Sequence, residues 1–278
     1  MRTLYVIGNG FDLKHNIPSR YSDFAKFVMK NNYELFQQVE RCLLNLSPNN
    51  SLWCNFEDAL GTQNLSELLK DVRRNNEIKK DYPIGIDYGD LKESMKEWIL
   101  SLNQYISIGS LFEKKYYFES NACFLSFNYT NTLEELYKID KNRICHIHGY
   151  VDDKEKQEAE MFVGYIFGHG LSSVNIDLDK CDEYEAQELN ETINSYAKEI
   201  QKEKLERFVS KLHDISDIVV LGHSLGLVDK PYFEIFNKDF ANINWQIGYY
   251  DNNDLCRKIY NCRKIGIDSS NIVFFQDN

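Results

Sequence analysis

The sequence has no apolar run long enough to span a bilayer, and no signal-peptide pattern stands ahead of its first apolar stretch. The expectation is a cytoplasmic protein with no membrane partner. It has no Cys-x-x-Cys pair, so a structural zinc ribbon is not signalled. Its seven cysteines, an odd number at irregular spacing, read as free thiols of a reducing compartment. Positive charge is in deficit. Against 43 Asp and Glu stand 32 Lys and Arg, a net charge of −11, which argues against a general binder of phosphate backbones and leaves room only for a local basic patch. There is no internal repeat, no low-complexity tract and no clear interdomain linker.

What remains is an ordinary globular composition. Over 278 residues, 43% are hydrophobic, 27% charged and 14% aromatic, which predicts a core rich in Tyr and Phe. The chain opens on Leu4-Tyr5-Val6-Ile7, the apolar run of a buried parallel strand, and then Gly8-Asn9-Gly10-Phe11-Asp12. Two glycines one residue apart let a backbone turn sharply and approach a ligand closely. A strand entering such a turn ahead of a helix can present N–H groups to a phosphate. The third glycine of the dinucleotide fingerprint is absent, since Leu13 stands there. A tight turn that binds nothing is the competing reading.

The rest of the pattern predicts a helix from Ser22 or Asp23 and mostly helical sequence over 33–75, broken at Pro48-Asn49-Asn50. A polar, solvated loop is expected over 73–80. Leu91, Met95, Trp98, Ile99, Leu102 and Ile106 then mark one helical stripe, read as core packing. Strands are expected at 122–127, 143–148, 161–167, 218–221, 245–249 and 272–275, with a charged loop at 151–160. Helices are expected from Asn131 or Thr132 to Leu136, over 179–213 as one long charged region, and at 233–240 and 255–264. Strands alternating with helices favour an α/β fold on a mostly parallel sheet. The stretch 21–120 is too long for one crossover, so it reads as a large helical insertion within a single domain of residues 1–278.

Four strand ends carry polar residues: Gly8 to Asp12, Asn128-Tyr129-Thr130, His148-Gly149 and Gly222-His223-Ser224. In a parallel sheet all four lie along one edge, where ligands bind. Taken alone, Gly222-His223-Ser224-Leu225-Gly226 also fits the nucleophile elbow of α/β-hydrolases, but His223 is the last histidine and no base follows the serine. His146 and His148, two apart on a strand, face one side and with Asp152 and Asp153 give a metal-dependent nuclease as an alternative.

The ordered set Gly8-Asn9-Gly10-Phe11-Asp12 with Ile17-Pro18, Phe127-Asn128-Tyr129-Thr130-Asn131-Thr132, His146-Ile147-His148-Gly149 and Leu221-Gly222-His223-Ser224-Leu225 with Asp229 resembles the AbiH family of phage abortive-infection proteins. That family in turn resembles, more distantly, the SIR2-like NAD-binding fold, which implies a Rossmann-like sheet. By this resemblance Asn128 and His148 fall on catalytic positions, and Gly222 and Ser224 on a nucleotide contact. Asp12 replaces a serine, Ser19-Arg20-Tyr21 stands where Asp-Phe-Arg is usual, and the zinc cysteines are missing. These departures point away from protein deacylation and leave NAD binding or hydrolysis.

The resulting expectation is a phage-defence enzyme that hydrolyses the nicotinamide–ribose bond of NAD, with NAD as substrate or ligand and no metal. Asn128 orients the ribose hydroxyls or a water, His148 is the general base, and Asp12 orients ribose or water. Gly8, Asn9, Gly10, Phe11, Tyr129, Thr130, Gly222, Ser224 and Asp229 bind the nucleotide. Depleting NAD is toxic, so gating by homo-oligomerisation or the helical insertion is expected, under a phage-derived trigger that the sequence does not identify. A non-catalytic sensor of NAD or ADP-ribose is the other alternative.

Overall fold

The computed structural model describes residues 2–43, 53, 56–80, 82–108, 113–151, 165–170, 181–240 and 243–277. The chain forms two compact units: a sheet unit of Met1–Ser19, Ile99–Ile166 and Ile200–Asn278, and a helical unit of Arg20–Trp98 and Phe167–Glu199.

The sheet unit is built on strands β1 (Arg2–Ile7), β2 (Cys123–Ser126), β3 (Ile144–His146), β4 (Ile215–Leu221), β5 (Asn244–Tyr249) and β6 (Ile272–Gln276). All neighbours pair in parallel, in the order β3-β2-β1-β4-β5-β6. This is a Rossmann-like α/β sheet, and its switch point lies between β1 and β4. Alternate residues of β1 feed opposite faces. Leu4 and Val6 pack with Leu125, Val220 and Ile247 under Phe233 and Phe236. Tyr5 and Ile7 pack with Phe124, Leu133 and Leu136 on the other face. Both faces are covered, which is why the central strands read as continuous apolar runs.

Short helices sit close to the strand ends. α1 (Asn9–Lys14) follows β1, and α7 (Thr132–Glu135) follows β2. α9 (Lys202–Val209), α10 (Lys230–Asp239, with a proline in its first turn) and α11 (Asn252–Ile265) complete the unit. Lys258 of α11 is buried, donating to the Gly248 carbonyl at the end of β5 and lying 3.3 Å from Asp254.

The helical unit holds α2 (Tyr21–Asn31), α3 (Tyr33–Leu43), α4 (Phe56–Leu60), α5 (Leu65–Ile78), α8 (Glu183–Ser195) and the first residues of α6 (Tyr88–Ser107). The polar stretch 73–80, expected to be a loop, is mostly helix, because α5 runs on to Ile78. Its Arg73 pairs with Glu185 at 2.7 Å, and Asn64 caps its start. The single helix expected over 179–213 is two, α8 and α9, separated by 196–201, where His169 and Ala197 form an isolated bridge. The strand expected at 143–148 is shorter, since a 3-10 turn occupies Lys141–Arg143 and the pairing ends at His146. Of the strand expected at 161–167, residues 161–164 lie outside the described residues and 165–167 are irregular. The loop expected at 151–160, with Asp152 and Asp153, also falls outside them, Val151 excepted.

Candidate functional site

β1, β2 and β4 end side by side, and hydrogen bonds continue just past them: Gly8 donates to Leu221, and Phe127 to Ile7. The two glycine turns at these ends then pack backbone to backbone. The Gly10 N–H donates to the Gly222 carbonyl at 2.8 Å, and the Phe11 N–H to Gly8 at 2.9 Å. A Cβ on Gly8 would lie 2.5 Å from His223 Cα, and one on Gly222, at φ +65°, 2.0 Å from the Phe11 nitrogen. The glycines at 8, 10 and 222 therefore let one turn nest in another. The N–H groups of Gly8, Gly10 and Phe11, read from sequence as a cradle for pyrophosphate, are already used inside the protein.

Three other expected ligand contacts are also redirected. Phe11 is buried, its ring 4.6 Å from His15, 5.3 Å from Tyr116 and 5.7 Å from Tyr137. The Asn9 amide is tied to Ser19, donating to its carbonyl at 2.9 Å and accepting from its hydroxyl at 2.5 Å. Asp12, read as orienting ribose or water, is 1% exposed. Its carboxylate accepts from the hydroxyls of Thr130 at 2.5 Å and Thr132 at 2.7 Å. Burial raises its pKa to about 6, against the pull of those hydroxyls, the Asn128 amide and His146. Asp12 thus fixes the start of α7 onto α1. Asn128 has a similar bracing role, donating to the Gly8 carbonyl at 3.1 Å and joining β2 to β1.

Beside Phe11, His15 shows how closely these turns are held. Its Nδ1 faces the Phe11 carbonyl at 2.7 Å, so it carries the proton, and Nε2 accepts from the Tyr137 hydroxyl at 2.6 Å. That hydroxyl also accepts from the N–H groups of Lys115 and Tyr116. Burial holds the His15 imidazole below its ordinary value. Tyr137→Phe removes one oxygen and leaves these groups unpaired. An unfolding cost of about 1–3 kcal/mol is expected, read as a lower midpoint in urea.

The groups that converge are others. His148 Nε2 lies 3.5 Å from one oxygen of Asp229, and His223 Nε2 lies 3.4 Å from the other. His223 Nδ1 accepts the Leu225 N–H at 2.9 Å, so in neutral His223 the proton sits on Nε2, facing Asp229. The Phe127 ring stands 5.2 Å from His148 and 4.2 Å from His223, and Tyr232 lies 5.8 Å from His148. The Tyr129 ring is 6.2 Å from His148, with its hydroxyl on the Ile166 carbonyl. The result is a carboxylate shared by two imidazoles, walled by aromatic rings, beyond the ends of β3 and β4. His148 and Asp229 were expected here. His223 was not, although it follows a strand directly and Asp229 comes six residues on. All three are buried, His148 at 3% exposure.

Ser224 is exposed, and the residue forced to positive φ is Leu225, at 54°, not the serine a nucleophile elbow would strain. The pair expected for a metal does not share a face. His146, the last residue of β3, binds the Asn128 carbonyl at 3.2 Å and Glu134 at 2.8 Å, whereas His148 turns to Asp229 ahead of Gly149, at φ +79°. Among the described residues no three His, Cys, Asp or Glu gather as a metal site, and no helix is long and apolar enough to cross a membrane.

A parallel sheet in this order, with helices on both faces, defines a doubly wound, Rossmann-like α/β protein. The chain belongs to the AbiH family, bacteriophage abortive infection AbiH, whose model matches residues 4–249. No curated protein sequence matches it. Among solved structures it is similar, at 12% identity and a TM-score of 0.30 over 96% of this chain and 95% of the other, to Sir2 in complex with an inhibitor, 2′-O-acetyl-ADP-ribose and a deacetylated p53 peptide.

Proposed function

We propose that this phage-defence protein is a nucleotide-cleaving enzyme that hydrolyses the nicotinamide–ribose bond of NAD at the cluster of His148, Asp229 and His223. The reading is carried by two imidazoles converging on one buried carboxylate beyond the strand ends. Cleaving that bond builds positive charge on the ribose, and water must lose a proton as it attacks. His148 takes the proton, and Asp229 stabilises the imidazolium that forms. His223, with its Nε2 3.4 Å from the other oxygen of the same carboxylate, positions it. Asn128 and Asp12 act behind this group by bracing the strand ends, and the exposed Ser224 hydroxyl is available to a phosphate or ribose. His148 is buried, so substrate reaches it only after local rearrangement, in keeping with an activity held off until infection.

Chromatography of purified protein incubated with NAD, with and without extract of infected cells, tests this. Nicotinamide and ADP-ribose should appear with wild type and not with His148→Ala. The glycine-turn N–H groups are occupied, so in this reading and in that of a non-catalytic NAD or ADP-ribose sensor alike the phosphates are held elsewhere than on that turn. Saturable ADP-ribose binding without product would select the sensor. Neither product nor binding would remove both.

A further inference from the structure

Against a net charge of −11, one part of the sheet unit is basic. A groove of about 490 Å³ runs beside β3, the edge strand, and takes Lys204 and Arg207 from α9, Lys211 from the turn after it and Lys141 from the turn before β3. A second hollow of about 210 Å³ shares Asn142, Phe208 and Lys211 with it and adds Arg2 and Arg143. Glu134 is the one carboxylate lining either hollow. Spacing of three sets Lys204 and Arg207 on one side of α9, and Lys211 follows in the turn beyond its end. The groove is of the size that holds small ligands, which commonly runs to roughly 300–1,000 Å³.

Two further features say what it would hold. Glu134 is nine-tenths buried and binds His146 through one oxygen, while its other oxygen has no hydrogen-bond partner. A buried carboxylate oxygen left so is costly, and a ligand hydroxyl or amino group would relieve it. Tyr150 and Phe208 line the same groove, with Lys141 5.3 Å from the centre of the Tyr150 ring. Lys204 caps the His146 carbonyl and so blocks the strand edge to an added peptide strand.

We infer that this groove is a nucleotide-binding site, separate from the His148 cluster: phosphates lie along Lys141, Arg207 and Lys211, a base packs on Tyr150 or Phe208, and a sugar hydroxyl or base amino group donates to Glu134. The same chemistry is offered by a free nucleotide and by a short single strand of nucleic acid, and titration with each separates the sources.

Calorimetric titrations with ADP, inorganic pyrophosphate and a short single-stranded oligoribonucleotide provide the test. Arg207 and Lys211 are exposed, so the double variant Arg207→Glu/Lys211→Glu should fold, and it should lower affinity for ADP or the oligonucleotide by about tenfold or more. Lys202→Glu makes a charge reversal on the same helix outside the groove and should change it less than about twofold. Tighter binding of the oligonucleotide than of ADP assigns the polymer, and the reverse assigns the free nucleotide. The inference is overturned if wild type binds neither, if pyrophosphate binds as well as ADP, if Lys202→Glu costs as much as the groove variant, or if His148→Ala and not the groove variant abolishes binding.

Discussion

His148→Ala is expected to lower the rate of nicotinamide release from NAD by about 10²–10⁴-fold, the range a general base supplies. The size follows from the place of the imidazole: it is the titratable group of the cluster that can both accept a proton and pass its charge to a neighbouring carboxylate. At 3.5 Å from Asp229 the pair is loose, as catalytic contacts often are without substrate. Asp229→Asn keeps the shape but cannot stabilise the imidazolium, so a loss of about 10²-fold or more is expected. In the proposed mechanism His223 positions Asp229, which its Nε2 faces at 3.4 Å, so His223→Gln should cost about tenfold and shift the pH profile. The three losses should not add, because the residues act as a unit. Wild-type rates in His148→Ala would end the assignment. So would equal losses in His148→Ala and in an exposed variant of the sheet unit that no contact ties to the cluster, such as Arg257→Ala on α11.

The frame of the sheet unit was legible because burial on both faces demands apolar runs, and β1, β2, β4 and β6 each contain one, while β5 alternates Trp245, Ile247 and Tyr249 with Gln246 and Gly248. The family was legible because its motifs stand at strand ends in a fixed order. What each motif does was less so. Two glycines one residue apart indicate that something approaches the backbone, and spacing alone does not distinguish a phosphate from the neighbouring turn at Gly222. Asp12 shows the same limit: a carboxylate after a glycine turn looks catalytic, and only the partners Thr130 and Thr132, more than a hundred residues away, show that it is a brace. Asp229 was found through a motif, whereas the link from His148 to His223 through it required the fold. The helical unit failed differently. Its α5 was cut short on paper because 73–80 is polar, yet a helix with one buried stripe, Leu68 and Val72, tolerates polar residues elsewhere around its circumference.

That brace yields the largest effect expected on stability. Asp12→Ala leaves the Thr130 and Thr132 hydroxyls without their carboxylate acceptor in a fully buried place and takes one of two acceptors from the Asn128 amide, and should cost about 2–4 kcal/mol. Asp12→Asn separates shape from charge. The folded-state pKa of Asp12, about 6, stands above its ordinary value of 3.8, so between these values the folded protein binds more protons than the unfolded chain. Stability from this group is therefore fully present below pH 3.8 and is lost as pH rises through about 6. Relative to Asp12→Asn, wild type should lose about 2 kcal/mol between pH 4 and 7, at about 1.4 kcal/mol per pKa unit. His15 works in the other direction, because its depressed pKa makes the fold lose stability as pH falls below the ordinary imidazole range. Both proteins contain His15, so the difference between them isolates Asp12. Urea midpoints of the pair measured from pH 4 to 7 give the slope. A difference that grows in favour of wild type with rising pH would mean that the three donors outweigh burial, and that the carboxylate is held ionised.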